Sequence, residues 1–145
     1  MARYDEIFSI SSDAEFEREA LRLFRYQAEH CAPYADYLRL IGVEPSSVHS
    51  VEAIPMLPIE LFKTHKIYCG EGEPQKVFTS SATTSMTPSC HYVEDLSLYE
   101  RAFTEGFAHF YGSPKECSIY ALLPSYLERE GSSLVYMAEK LIAQS

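Results

Sequence analysis

The chain has 145 residues, 46% of them apolar and 23% charged, with 21 acidic against 12 basic side chains and a net charge of -9. At roughly 150 residues per domain this is one domain's worth of sequence, with enough apolar content for a core, which excludes wholesale disorder. So acidic a chain lacks the electrostatic footprint of a nucleic-acid binder, and no run of 18 apolar residues is present to span a bilayer.

The N-terminus, MARYDEIFSISSDAEFERE, is acidic and has no apolar stretch, so neither a signal peptide nor a transit peptide is expected, and a cytoplasmic location is. Ser12 and Glu15 stand at capping-box spacing. Phe16, Ala20, Leu23, Phe24 and Gln27 follow at near-helical intervals, with Glu17, Arg18, Arg22 and Arg25 on the other side. Pro33 breaks this helix or starts the next, Tyr34, Tyr37, Leu38 and Ile41 continue an apolar face, and Gly42 suits a helix stop. Residues 43 to 58 carry Pro45, Ser46, Ser47, Pro55 and Pro58 and read as a connector, buried where Ile54, Met56, Leu57 and Ile59 fall.

The second half changes texture. KVFTS (76–80) and CHYVE (90–94) are short strand candidates flanking a polar loop. Asp95 can cap a helix to about Tyr111 with the stripe Leu96, Tyr99, Phe103, Phe107 and Phe110, ended by Gly112 and Pro114. CSIYALL (117–123) is nearly unbroken apolar, the pattern of a strand buried on both faces. Ser132 or Ser133 then caps a last helix with Leu134, Met137, Ala138 and Leu141 in register. Strand, helix, strand, helix predicts an α/β fold: an N-terminal helical segment and connector over 1–72, then a partial βαβ sheet with parallel pairing over 73–145.

Cys31, Cys69, Cys90 and Cys117 form no CxxC pair, and the five histidines are as scattered, so no metal site is expected and the thiols are expected reduced. Cys90 adjoins the polar loop, but no neighbouring base marks its thiol as activated.

The polar loop carries the strongest functional signal. In residues 79 to 89, Thr-Ser-Ser-Ala-Thr-Thr-Ser-Met-Thr-Pro-Ser, eight of eleven side chains bear a hydroxyl and none is charged. Small hydroxyl residues on a strand exit can wrap an anion with backbone N–H and side-chain O–H donors, and their size lets the backbone approach closely. A solvated Ser/Thr loop would have the same composition. Ser125, Tyr126, Glu128 and Arg129 follow the apolar run 117–123, where ligands of α/β sheets bind, beyond the strands' carboxyl ends. His91, one strand from the loop, could face a substrate or serve as a structural histidine.

FTSSATTS resembles the phosphate loop of adenylate-forming enzymes, whose usual form is SSGTTG. With IPMLPIELFKTHKIY upstream, FTSSATTSMTPSCHYVEDLSLYE around the loop and LLPSYLEREGSSLVYMAEKLI downstream, the chain from about residue 16 onward resembles the LuxE-type acyl-protein synthetase family, among the phenylacetate-CoA-ligase-like adenylate-forming enzymes. The resemblance implies an ATP-dependent acyl-activating ligase, with ATP and magnesium as partners of the reaction. Such an enzyme joins a fatty or other carboxylic acid to ATP, releases pyrophosphate and passes the acyl group from the acyl-adenylate to a thiol. It implies phosphate binding by Thr79, Ser80, Ser81, Ala82, Thr83, Thr84 and Ser85, with His91, Ser125, Tyr126 and Glu128 on the substrate side. Ala82 and Ser85 stand where the family usually has glycine, and a left-handed backbone at either would cost about 1–2 kcal/mol. Members of the family are much longer than this chain. Their adenine motif, ribose-binding acid, mobile lysine domain and acyl-accepting cysteine lie in later sequence, so the resemblance covers their N-terminal portion. A second polypeptide completing the site, or self-association, is the corresponding expectation, and a non-catalytic nucleotide- or partner-binding remnant is the alternative.

Overall fold

The computed structural model describes residues 5–80, 87–123 and 131–145. The chain is mixed α/β and mostly helical, with one small two-stranded antiparallel sheet. It divides into two compact units, Met1–Glu71 and Gly72–Ser145.

The first unit is built on two helices, α1 (Asp13–His30) and α2 (Ala32–Leu40). Ser12 caps α1 by accepting from the Glu15 amide at 3.3 Å. The other half of the capping box is displaced by one residue: the Glu15 carboxylate accepts from the Ser11 amide and hydroxyl, at 2.9 and 3.0 Å. Cys31, in extended conformation, breaks the helical run, and Pro33 sits within the first two positions of α2, where its missing N–H leaves no bond unmade. At the far end Gly42 takes φ +70°, and the Val43 amide reaches back to the Leu38 carbonyl at 3.0 Å, a Schellman-type stop that a side chain at position 42 would strain. The core joins Phe24, Ala28, Cys31, Tyr34, Leu38 and Val48, with Ile54, Leu57 and Ile67 packed against it.

Two details of this unit differ from the sequence pattern. Phe16 is 54% exposed, while Glu19 is buried to 8% exposure, its carboxylate held by the Arg18 and Arg22 Nε atoms at 3.1 and 2.6 Å. The two guanidiniums replace the water a buried carboxylate loses, so an acid fits where periodicity favoured an apolar side chain. The connector is buried on one side only: Ile54 and Leu57 pack inward, whereas Met56 and Ile59 are exposed. A four-residue helix, α3 (Leu61–Thr64), follows.

In the second unit β1 (Lys76–Thr79) pairs antiparallel with β2 (Cys90–Val93), Phe78 lying opposite His91 and Thr79 opposite Cys90. Helix α4 (Leu96–Tyr111) starts at Asp95, whose carboxylate accepts from the Ser97 amide and hydroxyl, and ends at Gly112 with φ +82°. Helix α5 (Ser133–Ile142) is capped by Ser132. Phe78, Val93, Pro114 and Val135 are buried among the described residues here, and the Phe78 ring meets those of Tyr99 on α4 and Tyr136 on α5. Of the expected α5 stripe, Met137, Ala138 and Leu141 are half-buried and Leu134 is exposed, while Val135 is buried and Tyr136 half-buried against Phe78.

The expected parallel βαβ crossover is not formed among the described residues, because 117–123 is not a strand. The segment leaves a 3₁₀ turn at Pro114–Glu116 without a ladder partner, with Tyr120 94% exposed and Leu122 fully so. An apolar run states that a segment can be buried, not what pairs with it. The outer edge of β1 is engaged elsewhere: the Thr79 amide donates to the Gly131 carbonyl at 2.8 Å.

Candidate functional site: the exit of the first strand

Thr79 closes β1 and Ser80 follows it, so the hydroxyl-rich run begins where the ladder ends. Ser80 and Ser89 pin the two ends of the loop together. The Ser80 amide donates to the Ser89 carbonyl at 3.0 Å, and the Ser89 amide donates to the Ser80 hydroxyl at 3.0 Å. Ser81, Ala82, Thr83, Thr84 and Ser85 lie outside the described residues, as do Ser125, Tyr126 and Glu128.

His91 is exposed on β2, opposite Phe78 in register. Side chains alternate along a strand, so His91 shares the sheet face of Phe78, and Thr79 and Cys90 share the other. It is therefore not brought together with Thr79.

What the structure does bring to Thr79 is Gly131. The Gly131 carbonyl accepts the Thr79 amide, and a Cβ built on Gly131, at φ +98°, would stand 2.8 Å from the Thr79 hydroxyl oxygen. Gly131 is followed at once by Ser132, whose hydroxyl accepts from the Val135 amide at 3.4 Å, and by the first turn of α5. The start of the hydroxyl loop and the N-terminus of α5 therefore adjoin. Helix N-terminal amides and their aligned dipoles favour negative charge, and the Thr79 hydroxyl adds a neutral donor beside them. Sequence reasoning did not single out Gly131; its one signal was a glycine immediately ahead of two serines at a helix start.

Helix α5 is held in place by a polar tie to α4. The Tyr136 hydroxyl donates to the Glu100 carboxylate, and the Lys140 ammonium pairs with the same oxygen at 2.8 Å. Lys140 chiefly, then Tyr136, holds the Glu100 carboxyl below its ordinary value of 4.5. Burial first, then the bond to Glu100, raises the Tyr136 hydroxyl above 10.0, and the bond to Glu100 raises Lys140 above 10.5. A lowered acid stabilises the fold above its unfolded value and loses that contribution as pH falls through its folded one; a raised tyrosine or lysine stabilises below its unfolded value and loses it as pH rises. The tie therefore acts between the ordinary values of about 4.5 and 10. Partly exposed pairs of this kind contribute under about 1 kcal/mol, so Glu100→Gln should lower the melting temperature by about 1–3 °C at pH 7. Melting curves by circular dichroism should converge with those of the unchanged chain in strong acid and above the tyrosine range; a constant difference across pH would contradict this.

Among the described residues no group of three His, Cys, Asp or Glu side chains could hold a metal ion, and no helix is long and apolar enough to cross a membrane. None of the four cysteines is in a disulfide. No family model, curated protein or solved structure matches the chain.

Proposed function

We propose that the turn leaving β1 binds the phosphates of a nucleotide, and that the chain belongs to an ATP-dependent acyl-activating ligase of the acyl-protein synthetase kind, working in the cytoplasm on a fatty or other carboxylic acid. One observation carries this reading: the Thr79–Gly131 hydrogen bond puts the start of the hydroxyl-rich loop beside the capped N-terminus of α5. Backbone amides, serine and threonine hydroxyls and a helix dipole are what a polyphosphate needs from a protein surface. A carboxylate attacking an α-phosphate must overcome like-charge repulsion, and donors on the departing pyrophosphate offset it. The Thr79, Ser80 and Ser89 amides are engaged within the fold, so the phosphate donors would be hydroxyls and first-turn amides of α5, and a magnesium ion would arrive on the nucleotide's own phosphates with much of its water shell.

Titrating ATP with magnesium into the isotopically labelled chain tests the site. Saturable amide shifts at Thr79, Ser80, Gly131 and Ser132, competed by pyrophosphate, are the expected result. Shifts confined to other residues, or none, would remove the phosphate role.

Ala82 and Ser85 in place of the family glycines favour a second reading, a nucleotide-binding remnant without turnover. Acid-dependent exchange of labelled pyrophosphate into ATP separates the two: exchange supports the ligase, and binding without exchange supports the remnant.

A further inference from the structure

The second unit presents an apolar surface that none of the foregoing uses. Residues 117–123 carry no charged side chain and no proline, the composition of a self-pairing strand, yet they have no ladder partner among the described residues. Exposure along the run has the two-residue period of an extended chain: Cys117 and Ile119 are half-buried, whereas Ser118, Tyr120 and Leu122 are exposed. The Cys117 thiol donates to the Tyr111 carbonyl at 3.7 Å, which ties the start of the run to the last turn of α4. There Phe110 is 78% exposed and Tyr111 72%, their ring centroids 6.4 Å apart. Phe110, Tyr111, Tyr120 and Leu122 thus face solvent over the end of α4 and the run joined to it.

We propose that this surface is the interface of a homodimer, in which the run 117–123 of one copy pairs antiparallel with the same run of a second copy. Area favours that occupant. An aromatic side chain offers about 150–250 Å², so these four bring on the order of 600 Å² per copy and about 1,200 Å² per pair, the lower end of what a stable interface buries. Pairing geometry favours it too. An unpaired extended edge is a template for another chain, and identical strands laid antiparallel are related by the two-fold axis of a closed dimer. An axis at Tyr120 sets that residue opposite its own counterpart and Ser118 opposite Leu122, so the exposed side chains meet on one face with no charge among them. A lipid surface is disfavoured, because anionic headgroups repel a chain of net charge -9 and the run brings no basic residue. The surface lies outside the phosphate turn and stands whether or not that turn binds a nucleotide.

Sedimentation velocity on the full chain is the test. A monomer–dimer equilibrium is expected, saturating at two copies, with a dissociation constant on the order of 10 µM for an interface of this size. It should tighten several-fold between about 0.05 and 0.5 M salt, because screening relieves the repulsion between two acidic chains. Tyr120→Lys should weaken association about tenfold, since the axis then sets two ammonium groups opposite each other. Tyr120→Glu should do the same, and an equal mixture of the two variants should recover the dimer, which locates the axis at Tyr120. Leu40→Lys, at an exposed leucine of the first unit, should leave association unchanged. A chain that stays monomeric at about 200 µM, well above the expected constant, would overturn the proposal. So would open-ended growth beyond two copies, undiminished association of the Tyr120→Lys chain, or no recovery in the mixture.

Discussion

Phe78→Ala is expected to destabilise the second unit by about 3–5 kcal/mol, the cost of removing a large aromatic side chain from a core. Phe78 is 4% exposed, with ring centroids 5.1 Å from Tyr99 and 5.4 Å from Tyr136. Its ring joins the two-stranded hairpin to both helices. Two strands alone are marginally stable in water, so β1 and β2 depend on that packing. A whole domain retains only about 5–15 kcal/mol, so the loss should take a large share of the margin. Denaturant unfolding followed by circular dichroism measures it, with hairpin amide resonances as the local report. His91→Ala, directly opposite but exposed, should stay within about 0.5 kcal/mol and serves as the control. Similar small effects from both would mean that the hairpin does not rest on the aromatic cluster.

Gly131→Ala should cost about 2–4 kcal/mol, from left-handed strain together with overpacking, and should also disturb the candidate site. The backbone at φ +98° is one that side-chain-bearing residues rarely adopt, and the new methyl would lie 2.8 Å from the Thr79 hydroxyl oxygen. Threonine is branched at Cβ, so its hydroxyl cannot yield without a rotamer change. The Thr79–Gly131 bond would lengthen and the N-terminus of α5 would move away from β1. Gly106→Ala is the matched control: that glycine lies inside α4 with open space around it, and alanine there should be neutral or stabilising by up to about 1 kcal/mol. Equal stabilities for the two variants would contradict the close approach at Gly131.

Features encoded locally were legible in the sequence. Ser12, Pro33, Gly42, Asp95 and Gly112 each act within a turn of their own position, so the helix ends follow from residue type. The two short strands were legible for the same reason, by their β-rich runs and the polar loop between them. What failed depended on partners distant in sequence. The apolar run 117–123 met the composition of a buried strand, yet Tyr120 and Leu122 face solvent, because composition does not specify a ladder neighbour. At the candidate site Thr79 and Ser80 were read from their hydroxyls, whereas Gly131 owes its place to a contact across the unit that no local pattern records.

The phosphate role of the β1 exit is tested most directly by calorimetric titration of ATP and magnesium into the chain and into the double variant Ala82→Gly, Ser85→Gly. Glycine at both positions lets the backbone take a left-handed conformation and come closer to phosphate oxygens. The account predicts weak binding by the unchanged chain and about tenfold tighter binding by the variant, a gain of about 1.4 kcal/mol. Equal and negligible heats from both would contradict it and leave the turn without a nucleotide role.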